Sequence, residues 1–386
     1  MKLQKLYAIL GTSFFLWTGW LAFSPVFPLY VDDLGFGFFN LGLLMAIPSL
    51  FSIFLRLPIG TVADRIGKNR IVLFALAIQS FSFLLLGVLS SLSSLFAIRI
   101  LQGVVVSFFP PVITATIYDL AIPTSKGTMF GVFFTSIGLA MISGPLISSL
   151  FLQFLDFNTF FMSLSLFPAI ALIIYLIGMT KDQTKEEKKS RISSLWRVLK
   201  NTNVLALCSC RVLFAITTSI FATVFSVYAK DTLLIAASLV SVLFMIRGST
   251  NTFIRLPSGK ISDRIGRKKP ILLSYALVSV IFYLFSETIS FIAFALIMAL
   301  YGFAWGLRVA PETALISDLV ENKDANVGIA LLQTMFPIGN TIGSLLAGWL
   351  AQLVPISTVF KISSLIIVPA IIILLKIKTK PLNLSQ

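Results

Sequence analysis

Apolar runs alternate with short polar breaks along the whole chain, and most runs reach the length at which a helix crosses a bilayer. A hydrocarbon core about 30 Å thick needs about 20 apolar residues of helix. Twelve runs meet that need, at about 6–30, 39–61, 71–90, 95–118, 128–152, 158–178, 203–228, 237–258, 271–286, 291–317, 328–351 and 358–376. The first follows Lys2 and Lys5 as a secretory leader would. It is too long for a leader's apolar region and no small-residue cleavage site follows, so it is kept as a span. The longest polar break, about 179–202, divides six spans from six. Near its end Ile192, Leu195, Trp196 and Leu199 have helical spacing beside Arg197 and Lys200, which predicts a short amphipathic helix lying on the inner leaflet. The expected division is a six-helix bundle over 1–178, a cytoplasmic linker over 179–202 and a second bundle over 203–386.

Composition agrees with lipid as the solvent. Of the 386 residues 57% are hydrophobic and 12% charged, against about 25% charged in a soluble domain. The formal net charge of +15 would fit nucleic acid, but no basic patch interleaved with stacking aromatics exists, so nucleic acid is excluded. The basic residues instead report topology. With the N-terminus inside, the inner segments hold Lys2, Lys5, Arg65, Lys68, Arg70, Lys126, Lys181, Lys185, Lys188, Lys189, Arg191, Arg197 and Lys200. They also hold Lys260, Arg264, Arg267, Lys268, Lys269, Lys323, Lys376, Lys378 and Lys380, whereas the outer loops hold Lys230 alone. Both termini are therefore expected in the cytoplasm of a cell whose plasma membrane the chain spans. Histidine is absent, which removes His-based metal sites and proton relays. Cys208 and Cys210 read as small buried hydrophobes. No nucleophile–base constellation, metal cluster or nucleotide loop appears, so neither an enzyme nor a cofactor is expected.

The chain repeats itself. Residues 56–73 read RLPIGTVADRIGKNRIVL and residues 255–272 read RLPSGKISDRIGRKKPIL, an offset of 199 that also pairs Gly103 with Gly302, Thr114 with Thr313 and Asp119 with Asp318. Two homologous six-helix halves imply a pseudo-two-fold along the membrane normal and a site near mid-membrane between them. At these residues the chain resembles the major facilitator superfamily of secondary transporters, and in its motifs the twelve-span drug/proton antiporters. The family's G-x-x-x-D-R-x-G-[RK]-[RK] loop is matched by Gly60, Asp64, Arg65, Gly67 and Lys68, and again by Gly259, Asp263, Arg264, Gly266, Arg267 and Lys268. Asn69 departs from the usual basic residue. Glycine lets such a loop turn tightly. Asp64 can pair with Lys68 or face a helix N-terminus, and Asp119 and Asp318 can complete a charge cluster that latches the cytoplasmic face in one conformation. The other reading is of solvated loop charges that only hold topology.

Weaker matches follow. Gly19, Pro25 and Pro28 in span 1 resemble an antiporter pattern or form a Pro-kinked helix. Arg99, Gln102 and Gly103 match the family's R-x-x-Q-G, whose Arg the resemblance associates with proton coupling. Gly131, Ala140, Gly144, Pro145, Ser148 and Ser149 partly match the antiporter signature of span 5, and Gly343–Gly348 carry a blurred echo in span 11. Small-residue helix packing is the alternative reading of both.

Charges inside the membrane are functional candidates by default. They are Arg99, Arg211, Arg247, Arg308 and Glu312, and spans 1, 4, 7 and 10 line the cavity in this superfamily; Trp305 joins them there. Arg308 and Glu312 are four apart and can pair on one helix face. Pro110–Pro111 and Pro311 are expected to interrupt spans 4 and 10 at nearly matching places. Glu312 is the carboxylate expected to carry the coupled proton, or else a static partner of Arg308. Four Arg against one Glu favour an anionic substrate, while the motifs favour drug efflux. The expected function is a proton-coupled exporter, monomeric as the resemblance implies, of an amphipathic or anionic small molecule. The alternatives are an uptake symporter or facilitator for an organic anion or sugar derivative, and a non-transporting membrane receptor or scaffold.

Overall fold

The computed structural model describes residues 2–56, 59–120, 126–179, 192–321 and 324–377. Every regular element among them is a helix: α1 Lys2–Asp33, α2 Gly37–Leu55, α3 Ile59–Ile66, α4 Lys68–Val88, α5 Leu92–Leu120, α6 Lys126–Phe151, α7 Phe157–Leu164 and α8 Leu166–Gly178. Then follow α9 Ile192–Lys200, α10 Thr202–Leu233, α11 Ala237–Ile265, α12 Lys268–Glu287, α13 Phe291–Leu319, α14 Ala325–Leu353, α15 Ile356–Ile366 and α16 Val368–Lys376. Twelve spans are long and apolar enough to cross a membrane. In lipid every backbone N–H and C=O needs an internal partner, which is why the whole apolar chain is helical.

The helices outrun the apolar pattern at many ends. At 1.5 Å per residue the 32 residues of α1 and of α10 extend about 48 Å, beyond a core about 30 Å thick. Spans 6 and 12 are each two helices, α7–α8 and α15–α16, broken at Ser165 and Ile367. Pro168 and Pro369 lack the N–H that would bond four residues back, which loosens the turn there. Span 2, expected to reach residue 61, ends at Leu55, and α3 is a separate short helix. The expected interruptions at Pro110–Pro111 and Pro311 do not occur; α5 and α13 run through their prolines unbroken. Thr114 Oγ1 bonds back to the carbonyls of Pro110 (2.8 Å) and Pro111 (2.9 Å), the kind of hydroxyl support that makes proline tolerable in a membrane helix.

Two compact units are present: Met1–Glu186 with Ala229–Met245, and Glu187–Tyr228 with Ile246–Gln386. The first has a mainly aliphatic core drawn from α1, α3, α4, α5, α6 and α8, including Ile9, Val72, Leu76 and Ile113, with Phe109, Phe133 and Tyr175 among them. The second is built on rings. Phe221 stacks on Phe225 at 4.3 Å, and Phe282, Phe285, Phe294 and Phe360 close around them. Cys208 and Cys210 are buried and unbridged. Half of the expected linker, with Lys181, Lys185, Lys188, Lys189 and Arg191, lies outside the described residues, as do Lys323, Lys378 and Lys380.

Candidate functional site

The second unit carries a buried charge cluster. Residues four apart share a helix face, so α13 presents Arg308 and Glu312 together. Arg308 Nη1 donates to Glu312 Oε2. Arg211, on α10, donates its Nη1 to the same oxygen at 2.5 Å, and the Tyr275 hydroxyl of α12 donates to Oε1 at 3.3 Å. Arg308 is 0% and Glu312 1% exposed. A buried ion group is costly unless paired, and here the pairing is reinforced by rings. The Arg308 guanidinium lies 3.8 Å from the centroid of Phe214, which stacks on Tyr275 at 5.5 Å and meets Trp305 edge-on. Arg211 lies 4.9 Å from the centroid of Phe336, which faces Trp305. Two guanidiniums against one carboxylate leave the cluster one positive charge in excess.

Arg247 stands a little apart. Its guanidinium faces the rings of Phe221 and Tyr301, each at 5.5 Å, and of Trp305 at 5.8 Å. Trp305 thus contacts Arg247 and the rings beside Glu312, while Gly302 lets α13 approach α11: a Cβ there would fall 2.1 Å from the Arg247 carbonyl.

Arg99 belongs to the first unit and to a different chemistry. Its Nε donates to the Leu44 carbonyl at 2.8 Å, Nη1 to Gln102 Oε1 at 2.7 Å and Nη2 to Met45 Sδ at 3.8 Å. The Phe27 and Phe23 rings cover it at 4.7 and 5.5 Å. Among the described residues no carboxylate forms an ion pair with it. The arginine ties α5 to α2, beside the close crossing at Gly103, where a Cβ would meet Phe51 Cβ at 2.9 Å.

The doubled loop has doubled geometry. Lys68 pairs with Asp119 at 3.0 Å and Arg267 with Asp318 at 3.4 Å, each across 51 residues. Arg267 also holds Asp263 and Ser262. Gly67 and Gly266 take φ of +97° and +93°, a region L side chains rarely enter. Asn69 accepts a hydrogen bond from Tyr175 of α8 at 2.9 Å, and its repeat mate Lys268 donates to the carbonyls of Leu375 and Ile377 at 2.9 Å. Both positions therefore tie the loop to the last span of their own half. Arg65 and Arg264 are exposed, Gly259 sits on α11, Gly60 sits on α3, and the side chain of Asp64 lies outside the described ones.

Gly144 and Gly343, an offset of 199 apart, each sit against the first span of their half. A Cβ at Gly144 would fall 2.8 Å from the Thr18 carbonyl, and one at Gly343 2.4 Å from that of Ile216. Pro145 follows within α6, whereas nothing lies within 4 Å of a Cβ at Gly131.

The short helix α9 forms over Ile192–Lys200, with Leu195 and Trp196 exposed and Val198 buried. Arg197 grips Asp324 with two bonds of 3.0 Å, and these bonds hold its proton more firmly than in an ordinary arginine. Asn201 donates to the Leu319 carbonyl at 2.7 Å. Sequence reasoning missed Tyr275, Phe214 and Phe336, because an aromatic within an apolar run carries no signal of its own. It also passed over Arg56 and Arg255, repeat mates whose buried Nε atoms have no hydrogen-bond partner.

A model of the Major Facilitator Superfamily matches residues 9–233 and 207–385. An uncharacterized MFS-type transporter of Methanocaldococcus jannaschii is 25% identical over 98% of this chain and 99% of its own length. The quinolone resistance protein NorA of Staphylococcus aureus is 26% identical over 59% of each chain. The crystal structure of the nucleoside transporter NupG superposes with a TM-score of 0.79 at 17% identity, covering 98% of this chain and 99% of that one. At that identity the likeness concerns the fold alone.

Proposed function

The chain belongs to the Major Facilitator Superfamily, and from that premise we propose that it is a proton-coupled exporter of an amphipathic small molecule, working by alternating access. It is a multi-pass membrane transporter; the coupling, direction and substrate are our reading. The observation that carries it is Glu312, a carboxylate 1% exposed whose two oxygens are held by Arg211, Arg308 and Tyr275. No other described group inside the spans combines burial, negative charge and partners that a proton would release. The partial span-5 signature and the likeness to a quinolone resistance protein support efflux. A proton moving inward yields about 2.3 kcal/mol per 100 mV, enough to drive concentrative export. In this reading the carrier is a monomer in the cell membrane with both termini cytoplasmic, and protons and a small molecule are its partners.

A second reading, proton-linked uptake of an organic anion, is favoured by the surplus guanidinium at Glu312. Reconstitution in liposomes with an imposed proton gradient tests both, with cationic dyes and organic anions offered in turn. The expected result is pH-linked flux that Glu312→Gln abolishes. Proton-driven flux undiminished in Glu312→Gln refutes Glu312 as the coupling group.

A further inference from the structure

Arg56 directly follows span 2 and Arg255 ends span 8, an offset of 199 apart, where the doubled loop begins. One helical turn earlier, on the same face, stand Ser52 and Asn251, repeat mates as well, 0% and 1% exposed. Ser52 Oγ, Arg56 Nε, Asn251 Oδ1 and Arg255 Nε are all buried without a hydrogen-bond partner. Buried polar groups are normally paired, so the same lapse at the same two positions of both halves belongs to the repeat. Among the described residues neither guanidinium forms an ion pair. The described carboxylates of the loops are held by other bases: Asp119 by Lys68, and Asp263 and Asp318 by Arg267.

Packing and depth decide what can reach these arginines. Gly306 lets α13 press on α11 at Asn251, whose carbonyl a Cβ there would meet at 2.6 Å. At Gly259, one turn past Arg255, an added Cβ would find only Ala310 Cβ, at 3.9 Å. The seam is therefore tight at Asn251 and loosens past Arg255 toward the loop. Phe54 and Phe253, a further pair of repeat mates, are 67% and 74% exposed. In a span, rings so bare face lipid, because water would not tolerate them. Each arginine lies two residues beyond its ring, about 3 Å of helix rise, and so stands near the level where acyl chains give way to headgroups.

We propose that Arg56 and Arg255 are two equivalent phosphate-binding sites, one in each half. They take the phosphodiester of a phospholipid in the leaflet that the doubled loop faces, or the phosphate of a soluble ester. A guanidinium offers a planar fork of donors matched to two phosphate oxygens. The Ser52 hydroxyl, and the Asn251 amide turned to present its NH2 group, each add a donor from the preceding turn. Basic pockets between membrane helices hold anionic headgroups by the same chemistry. One phosphate in each half neutralises a charge that no described side chain neutralises. The inference is independent of Glu312 and of the molecule that the carrier moves.

Native mass spectrometry of the full-length protein, released from an uncharged detergent, counts the lipids it retains. Dioleoyl phosphatidylglycerol is the probe, and dioleoylglycerol, the same chains without phosphate, is the control. The wild type is expected to retain two phosphatidylglycerols that dioleoylglycerol does not replace, a comparison that needs no variant to fold. Arg56→Gln and Arg255→Gln should each weaken one of the two at least about tenfold and leave the other as it was; the double variant should weaken both. Arg56→Lys and Arg255→Lys, which keep the charge, should lose less than the Gln variants. Lys269→Gln, an equal loss of charge at an exposed position of the second loop, should retain both lipids. Equilibrium dialysis with inorganic phosphate in the same detergent separates the two sources. Lipid retained without phosphate binding assigns the sites to headgroups, and phosphate bound without lipid assigns them to a soluble ester; competition between the two assigns them to both. Binding of neither probe, dioleoylglycerol retained as well as phosphatidylglycerol, undiminished binding by the double variant, or an equal loss in Lys269→Gln overturns the proposal.

Discussion

Lys68 Nζ lies 3.0 Å from Asp119 Oδ2, and the same contact recurs 199 residues later between Arg267 and Asp318. The pairs are partly exposed, so each is worth at most about 1 kcal/mol to stability. If they latch a conformation, their removal should register in transport far more than in melting. Asp119→Lys should slow flux, and combining it with Lys68→Asp should restore most of it, while the melting temperature of each variant stays close to wild type. A double-mutant cycle on initial transport rates measures the coupling; additive losses would mean two independent surface charges.

Gly67 and Gly266 hold φ near +97° and +93°, directly before the basic residues of those pairs. An alanine forced into such a conformation costs on the order of 1–3 kcal/mol. Gly67→Ala and Gly266→Ala should each lower thermal stability by about that amount. Static light scattering on heating, or dye-reported unfolding in detergent, would read it.

Gly144 and Gly131 belong to the same partial signature, yet their surroundings differ. Gly144→Ala drives a Cβ to 2.8 Å from three atoms of α1, whereas Gly131→Ala meets nothing within 4 Å. Overpacking of this kind costs about 1–3 kcal/mol. The expected outcome is a reduced yield of monodisperse Gly144→Ala on size exclusion and a normal yield of Gly131→Ala.

Arg99 has acceptors for Nε and both terminal nitrogens, which fits a clamp between α2 and α5. Arg99→Lys keeps the charge but cannot reach all three. It should destabilise the protein by about 1–3 kcal/mol and leave the pH dependence of flux where it was. A shifted pH profile at unchanged stability would instead return Arg99 to the coupling machinery.

Much of this protein was legible before any coordinates. Twelve spans and the Arg308–Glu312 pair follow from period and spacing, because a membrane helix must satisfy its own backbone and a four-residue step returns to the same face; the family resemblance rests instead on the motif residues of the doubled loop. The offset of 199 also pairs Asp119 with Asp318, which implies a shared geometry. The partners in it were less visible. Asp119 meets Lys68, and Asn69 compensates for its missing charge by accepting from Tyr175, contacts between residues 51 and 106 positions apart.

What the amino-acid sequence determines by itself is local: which segments enter lipid, where they turn on glycine, and which charges are carried inside. Tertiary packing alone decides which of those charges meet. Arg211 and Arg99 look alike in their apolar runs, but one reaches Glu312 across 101 residues and the other a backbone carbonyl and an amide. Lipid offers a buried guanidinium no water, so its partner is whichever polar group the neighbouring helices bring within reach, and helix neighbours are chosen by packing rather than by order along the chain.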